Sequence, residues 1–178
     1  ASGAQRLAKA ADIAADPMAE LIDRQLRMGK SASVEHEGKT YFLTVQAPPA
    51  RLVVIGAVHV SQTLGQMARM LDFDVTIVDP RTAFASEERF PDVRVIAEWP
   101  DKTLPEIGLD KYTAVAALTH DPKIDDPALK LALAAECFYI GALGSKKTHA
   151  KRVERLSAAG FSDAQIGRIH APIGLDIG

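Results

Sequence analysis

Apolar and polar positions change period in blocks along this chain. Near the N-terminus, Met18, Leu21, Ile22 and Leu26 recur at helical spacing. Asp16 is placed as an N-cap, Pro17 suits the first helical position, and Gly29 ends the run. Residues 1–15 are rich in Ala and show no clear period. Ser33–His36 and Thr40–Val45 read as paired strands around Glu37-Gly38. Ala47-Pro48-Pro49-Ala50 is a stiff connector. A domain boundary is expected there, with a helix and hairpin in residues 1–49 and the main domain in 50–178.

Beyond the connector, short β-rich runs alternate with helical spacing. Arg51–Ile55 is a strand ending in Gly56, and Val60, Leu64, Met67, Ala68 and Leu71 then recur as a helix. Asp74–Val78, Val93–Ala97, Ala114–Leu118 and Phe138–Ile140 read as further strands. Asp126-Pro127 is expected to cap a buried helix over Ala128–Glu136. Lys146–Ala159 is an amphipathic helix with Val153 and Leu156 inward, closed by Gly160. Ser162 and Gln165 form a capping box for a last helix, with Phe161 and Ile166 as its hydrophobic staple. The closing segment 169–178 has too many small and fixed-φ residues for a helix and reads as a shaped loop. Strands that are continuous apolar runs, separated by helices, imply an α/β fold: a parallel sheet with helices on both faces.

Composition narrows the function classes. Of 178 residues, 47% are hydrophobic, enough for a sizeable core. The net charge of −2 argues against a general nucleic-acid binder. No apolar run is long enough to span a bilayer. The single cysteine, Cys137, permits no internal disulfide, which fits the cytoplasm, and its setting in a buried strand reads as core. The chain starts at Ala1 without a Met, and it is expected to be part of a longer protein.

The first crossover carries the chemistry. A strand, a tight glycine turn, a helix, a second strand and an acid make the mononucleotide-binding half of a Rossmann fold. The turn reads Gly56-Ala57-Val58-His59-Val60-Ser61. Gly56 allows the sharp turn, and Ser61 is small enough for close helix–strand packing. Val58 stands where a second Gly would let backbone approach a pyrophosphate, so its side chain should crowd that approach. Asp79 ends the next strand, where an acid can bond a ribose hydroxyl. Either a phosphate sits at this helix N-terminus, or the scaffold has lost its dinucleotide.

Two further loops fall at the carboxyl ends of strands, where ligands of open sheets bind. In Thr119-His120-Asp121-Pro122-Lys123, His120 beside Asp121 is either an acid/base pair or a loop-fixing hydrogen bond. The run from Gly141 to His149 places Gly144, Ser145, Lys146 and Lys147 at a helix start, a composition suited to an anion. It lacks the spacing of a P-loop. Asp125-Asp126 reads as helix capping, and the scattered histidines give no metal-ligand pattern.

These runs resemble the C-terminal Rossmann domain of the XdhC/CoxI family. The resemblance is carried by Gly56–Val60, by Val78-Asp79-Pro80-Arg81 with Phe84-Ala85 and Glu88-Arg89-Phe90-Pro91, and by Leu118–Lys123. Tyr139–His149 and Ile169–Gly178 are its longest matching runs, and it covers about residues 50–178. It implies an accessory factor rather than a redox enzyme. Such a factor binds molybdenum cofactor, protects it during maturation by a partner cysteine desulfurase, and delivers it to an apo molybdenum hydroxylase of the xanthine or carbon monoxide dehydrogenase type. Two features depart from the family: residues 1–46 are too short for its separate N-terminal domain, and Val58 stands where many members have Gly. On the residues that match, the cofactor-binding set is Gly56, Ala57, Val58, His59, Val60, Asp79, Arg81, His120, Asp121, Gly144, Ser145 and Lys146, with no metal ligand.

Two other classes stand beside this reading. One is an NAD(P)-dependent oxidoreductase with His120 or Lys146 as proton donor, which Val58 disfavours. The other is a Rossmann scaffold that binds only a protein partner. A homodimer is expected, because the N-terminal hairpin offers an unpaired strand edge.

Overall fold

The computed structural model describes residues 3–175. It divides into two compact units, one reaching Pro48 and the other starting at Pro49.

In the first unit, a 3-10 turn over Ala10–Ala15 precedes helix α1 (Ala19–Met28). The helix begins later than Pro17. Asp16 Oδ1 accepts the Met18 N–H at 2.8 Å and the Asp16 carbonyl accepts the Ala19 N–H at 2.9 Å, so Asp16 caps a lead-in turn that contains Pro17. Gly29 closes α1 in the left-handed region, at φ 61°. Strands β1 (Ala32–His36) and β2 (Lys39–Leu43) pair antiparallel, with His36 opposite Lys39. The two-residue turn has φ of 50° at Glu37 and 72° at Gly38, the pair of positive values that matches strand twist in a tight hairpin.

The second unit is a six-stranded parallel sheet. Its elements are β3 (Arg51–Ile55), α2 (His59–Met70), β4 (Asp74–Val78), β5 (Arg94–Ile96), α3 (Pro100–Ile107) and β6 (Thr113–Ala117). They continue with α4 (Pro122–Ala134), β7 (Tyr139–Ala142), α5 (Lys146–Ala158), the short α6 (Asp163–Ile166) and β8 (Ile169–His170). The strand order β5-β4-β3-β6-β7-β8 is that of a doubly wound Rossmann sheet, with its switch point between β3 and β6. Side-chain alternation along β3 feeds two cores. Val53 and Ile55 join Leu129, Leu133, Ile140 and Leu156 on one face, and Leu52 and Val54 join Ala68, Ile77 and Phe90 on the other. Cys137 is fully buried in the first core, and burial pushes its thiol up to about 11. No helix among the described residues is long and apolar enough to cross a membrane.

In the second unit, four elements differ from the sequence reading. Helix α4 starts at Pro122, not Ala128, because Asp121 is its N-cap, and Pro127 lies inside it. Helix α3 follows a Trp99-Pro100 start that the apolar pattern does not mark. The closing segment contributes a sixth strand, β8, paired with β7 at Ile140↔Ile169. On α2, the buried residues are Ser61, Gly65 and Ala68, while Val60 and Met67 are more than half exposed. The sheet takes the small face because the helix lies close to it: a Cβ at Gly65 would rest 3.6 Å from Val93 and 3.9 Å from Val75 and Ile77. Asp176, Ile177 and Gly178 of the family-like run lie outside the described residues.

Candidate functional site

The switch point between β3 and β6 is where a doubly wound sheet forms its ligand crevice, at the carboxyl edge. Gly56 turns the chain there at φ 112°, and a Cβ on it would stand 2.7 Å from Thr119 Cγ2. Only glycine combines that backbone with that approach. Its N–H donates to Val78 O at 2.8 Å, tying the turn to β4.

The groups that would greet a nucleotide at this first crossover are bonded to one another. Asp79 is fully buried. Its Oδ2 accepts the Ala57 N–H at 2.7 Å and Arg81 Nη2 at 2.7 Å, and its Oδ1 accepts Arg81 N and Nε, each at 2.9 Å. Burial works against the Asp79 charge. The Arg81 guanidinium and the Arg81 and Ala57 N–H groups outweigh it and hold the carboxyl below its usual range. Asp79 in turn raises Arg81. Arg81 lies 4.6 Å from the Phe84 ring centroid and Arg89 lies 5.7 Å from it. Arg89 Nη1 also donates to Ala57 O at 2.8 Å and Phe84 O at 2.6 Å, which latches the loop after β4 onto the glycine turn. Val58 is the N-cap of α2 and contributes no capping side chain, and His59 and Val60 open the helix facing solvent.

The β6–α4 loop is built around Asp125. Its Oδ1 accepts Thr119 Oγ1 at 2.6 Å and Thr119 N at 3.3 Å. Thr119 Oγ1 accepts the Asp121 N–H at 3.1 Å. Asp121 caps α4 through Lys123 N at 2.9 Å, so this carboxylate fixes its loop through a backbone amide rather than through His120. His120 itself is exposed and left-handed at φ 64°. The charges of Asp121 and Asp125 add to that of Asp79 in raising Arg81.

In the β7–α5 loop, Leu143 and Gly144 are half-buried and Ser145 is exposed. Leu143 N–H donates to Ala117 O at 2.8 Å, which sets the loop beside the end of β6. Gly144 turns at φ 132°, over Thr148. Ser145 caps α5, accepting Thr148 N at 3.2 Å. Lys146 and Lys147 are exposed in the first turn, which contains no acid. Positive charge therefore adds to the helix dipole, a setting for an anion. Beneath it, Arg152 is buried and donates to Leu143 O at 3.0 Å.

The structure thus groups Gly56–Val60, Asp79 and Arg81 in one corner and sets His120 and Asp121 opposite. Gly144, Ser145 and Lys146 stand at the next strand. Sequence reasoning missed Arg89, Thr119, Asp125 and Arg152. The spacing Ser145-Thr148-Arg152, one helical face, was the available signal for Arg152. Asp125-Asp126 reads as capping from sequence, yet Asp126 pairs with Arg155 of α5 at 3.0 Å. A depression of about 550 Å³ lined by Leu133, Glu136, Gln165 and Arg168 lies at the opposite edge of the sheet. Among the described residues, no group of three or more His, Cys, Asp or Glu could hold a metal ion.

A family model described as the XdhC Rossmann domain matches residues 52–178. The molybdenum cofactor insertion chaperone PaoD of Escherichia coli (strain K12) is 31% identical over 128 residues, covering 72% of this chain and 34% of that protein. A probable xanthine dehydrogenase subunit of Bacillus subtilis (strain 168) is 28% identical over 165 residues, covering 91% of this chain and 48% of that protein. The crystal structure of a xanthine dehydrogenase from Bacillus halodurans aligns with a TM-score of 0.62 at 28% identity, covering 78% of this chain and 40% of that one. The chain spans less than half the length of each of these relatives.

Proposed function

The chain belongs to the XdhC Rossmann-domain family, and from that premise we propose that it is an accessory factor that binds molybdenum cofactor as cargo for a molybdenum hydroxylase. The observation that carries the reading is the contrast between two helix N-termini. At the first crossover, the Ala57 N–H and the Asp79 carboxylate are occupied by each other and by Arg81. At α5, the Ser145 hydroxyl is engaged by Thr148, and a glycine turn, Lys146, Lys147 and the first-turn N–H groups offer donors and positive charge.

The cofactor's pterin carries a phosphate, and that group fits the α5 site. Lys146, Lys147 and the first-turn N–H groups hold it, and the Gly144 turn lets backbone approach it. Arg81 keeps one guanidinium nitrogen, Nη1, turned away from Asp79 for a second contact. In this reading the protein grips the organic part of the cofactor and leaves the metal free for transfer. The redox chemistry belongs to the hydroxylase that receives the cargo. Maturation by a cysteine desulfurase, hand-over to the apo-enzyme, and a homodimer are the finer parts of the same proposal.

The chain is produced in a host that makes molybdenum cofactor, and pterin fluorescence and molybdenum per chain are measured. Near-stoichiometric pterin, lost in Ser145→Ala/Lys146→Ala, is the expected result. An NAD(P) site of micromolar affinity would instead add about 4 kcal/mol of stability at about 1 mM ligand. A pterin-free protein that gains that stability would overturn the proposal in favour of an oxidoreductase.

A further inference from the structure

Between α4 and α5, beneath two of the carboxyl-edge loops, two buried side chains and one half-buried one keep buried polar atoms without a partner in the protein. Arg152 is 2% exposed, and with Nη2 on Leu143 O its Nε and Nη1 have no hydrogen bond. Asp125 is 1% exposed, and with Oδ1 on Thr119 its Oδ2 has none. His149 Nδ1 is also buried and unpaired. Asp125 is the strongest opposite charge acting on Arg152, and Arg152 acts on both Asp125 and His149. His149 and Arg152 lie about one turn apart on α5, and the Asp126–Arg155 pair at 3.0 Å ties α4 to α5 beside them. Burial raises the Asp125 carboxyl and lowers Arg152, the direction expected of charges held away from water.

Arginine and aspartate are almost never fully buried unless paired, and each buried group left unpaired carries its whole desolvation cost. A hydrophobic pair of similar volume would hold the two helices at least as well. Their placement serves the loops. Asp125 fixes Thr119, which abuts Gly56 and receives the Asp121 N–H. Arg152 fixes Leu143 O, directly before Gly144 and Ser145.

We propose that Asp125 and Arg152 are positioning residues that couple the Thr119–Asp121 and Leu143–Ser145 loops through this buried seam, holding the crevice at the width its ligand requires. The ligand's identity rests on the pterin reading above, whereas the coupling does not.

The test is hydrogen exchange on the ligand-free full chain, read at both loops relative to the β3 amides, which correct for any global loss of stability. Arg152→Met is expected to speed exchange about tenfold at 143–148 and also at 119–121, a loop that Arg152 does not bond. Asp125→Leu should do the same in the opposite direction along the seam. The double variant, with an apolar pair, should regain the wild-type urea midpoint yet keep both loops fast. Acceleration confined to the loop that each residue bonds, or a uniform rise that includes β3, would overturn the coupling. Pterin titration then separates the two proposals. If wild type binds pterin, Arg152→Met should weaken it about tenfold, with Arg152→Lys intermediate. If wild type binds none, the cofactor reading fails while the exchange result still decides the coupling.

Discussion

Gly56 shows how much a single position fixes. Its backbone lies at φ 112° and its α-carbon faces Thr119, so an added methyl meets both a strained conformation and a side chain at 2.7 Å. Gly56→Ala should cost about 2–3 kcal/mol, read as a lower urea midpoint at unchanged slope. Asp79 makes a pH-dependent contribution. Its carboxyl lies below the ordinary range in the folded state, so its stabilisation is present above the unfolded carboxylate value, about 3.9. It is lost as the pH falls through the lowered folded value. Asp79→Asn should therefore be less stable than wild type by about 1–3 kcal/mol at pH 7. That gap should hold down to about pH 4 and shrink below it, as followed by urea unfolding across pH. Asp125, raised by burial, acts in the opposite direction and is common to both proteins, so the difference isolates Asp79. At this scale the sequence identified the glycine and the acid. It could not show that the acid's partners are Ala57 and Arg81 rather than a ribose, because those bonds depend on where the β3 and β4 ends meet.

Among the elements, α2 is the clearest case of a pattern read correctly in period and only partly in face. Of the expected positions Val60, Leu64, Met67, Ala68 and Leu71, Ala68 is buried and Leu64 packs half-buried against the core, whereas Val60, Met67 and Leu71 are exposed and Ser61 and Gly65 complete the buried face. Hydrophobic spacing gives the period of a helix, and the available distance to the sheet decides which face fits. Gly65 has only ordinary contacts around an added Cβ, so Gly65→Ala should raise stability by about 0.5–1 kcal/mol. Met67→Gln should change it by less than about 0.5 kcal/mol, since Met67 is already in solvent. Thermal unfolding of the two variants checks both; a large loss in Met67→Gln would restore the stripe as a core face. Elsewhere local chemistry was sufficient. The Glu37-Gly38 turn, the Gly29 cap and the capping box at Ser162 all form as read. Helix α4 went astray because two Asp-Pro pairs compete for its start, and the pair at Asp121 prevails by bonding Lys123 N–H.

For the whole molecule, the alternation of apolar strands and helices implied a parallel sheet covered on both faces, and the six strands form one. The second unit contains both cores of that sheet. Residues 49–178 made alone should therefore unfold in urea in one cooperative step, and a broad, non-cooperative transition would contradict this. The sequence by itself determined the kind and order of most elements, because caps, turns and periodicity act between residues only a few positions apart. It also determined which loops end the strands, since each ends in a glycine or a polar run. Tertiary structure alone decided which polar groups of those loops bond one another. Ala57 with Asp79, Arg89 with Ala57, and Asp126 with Arg155 meet across gaps of 22, 32 and 29 positions. Whether a polar group is satisfied is a property of such pairs, and a linear pattern carries no record of them.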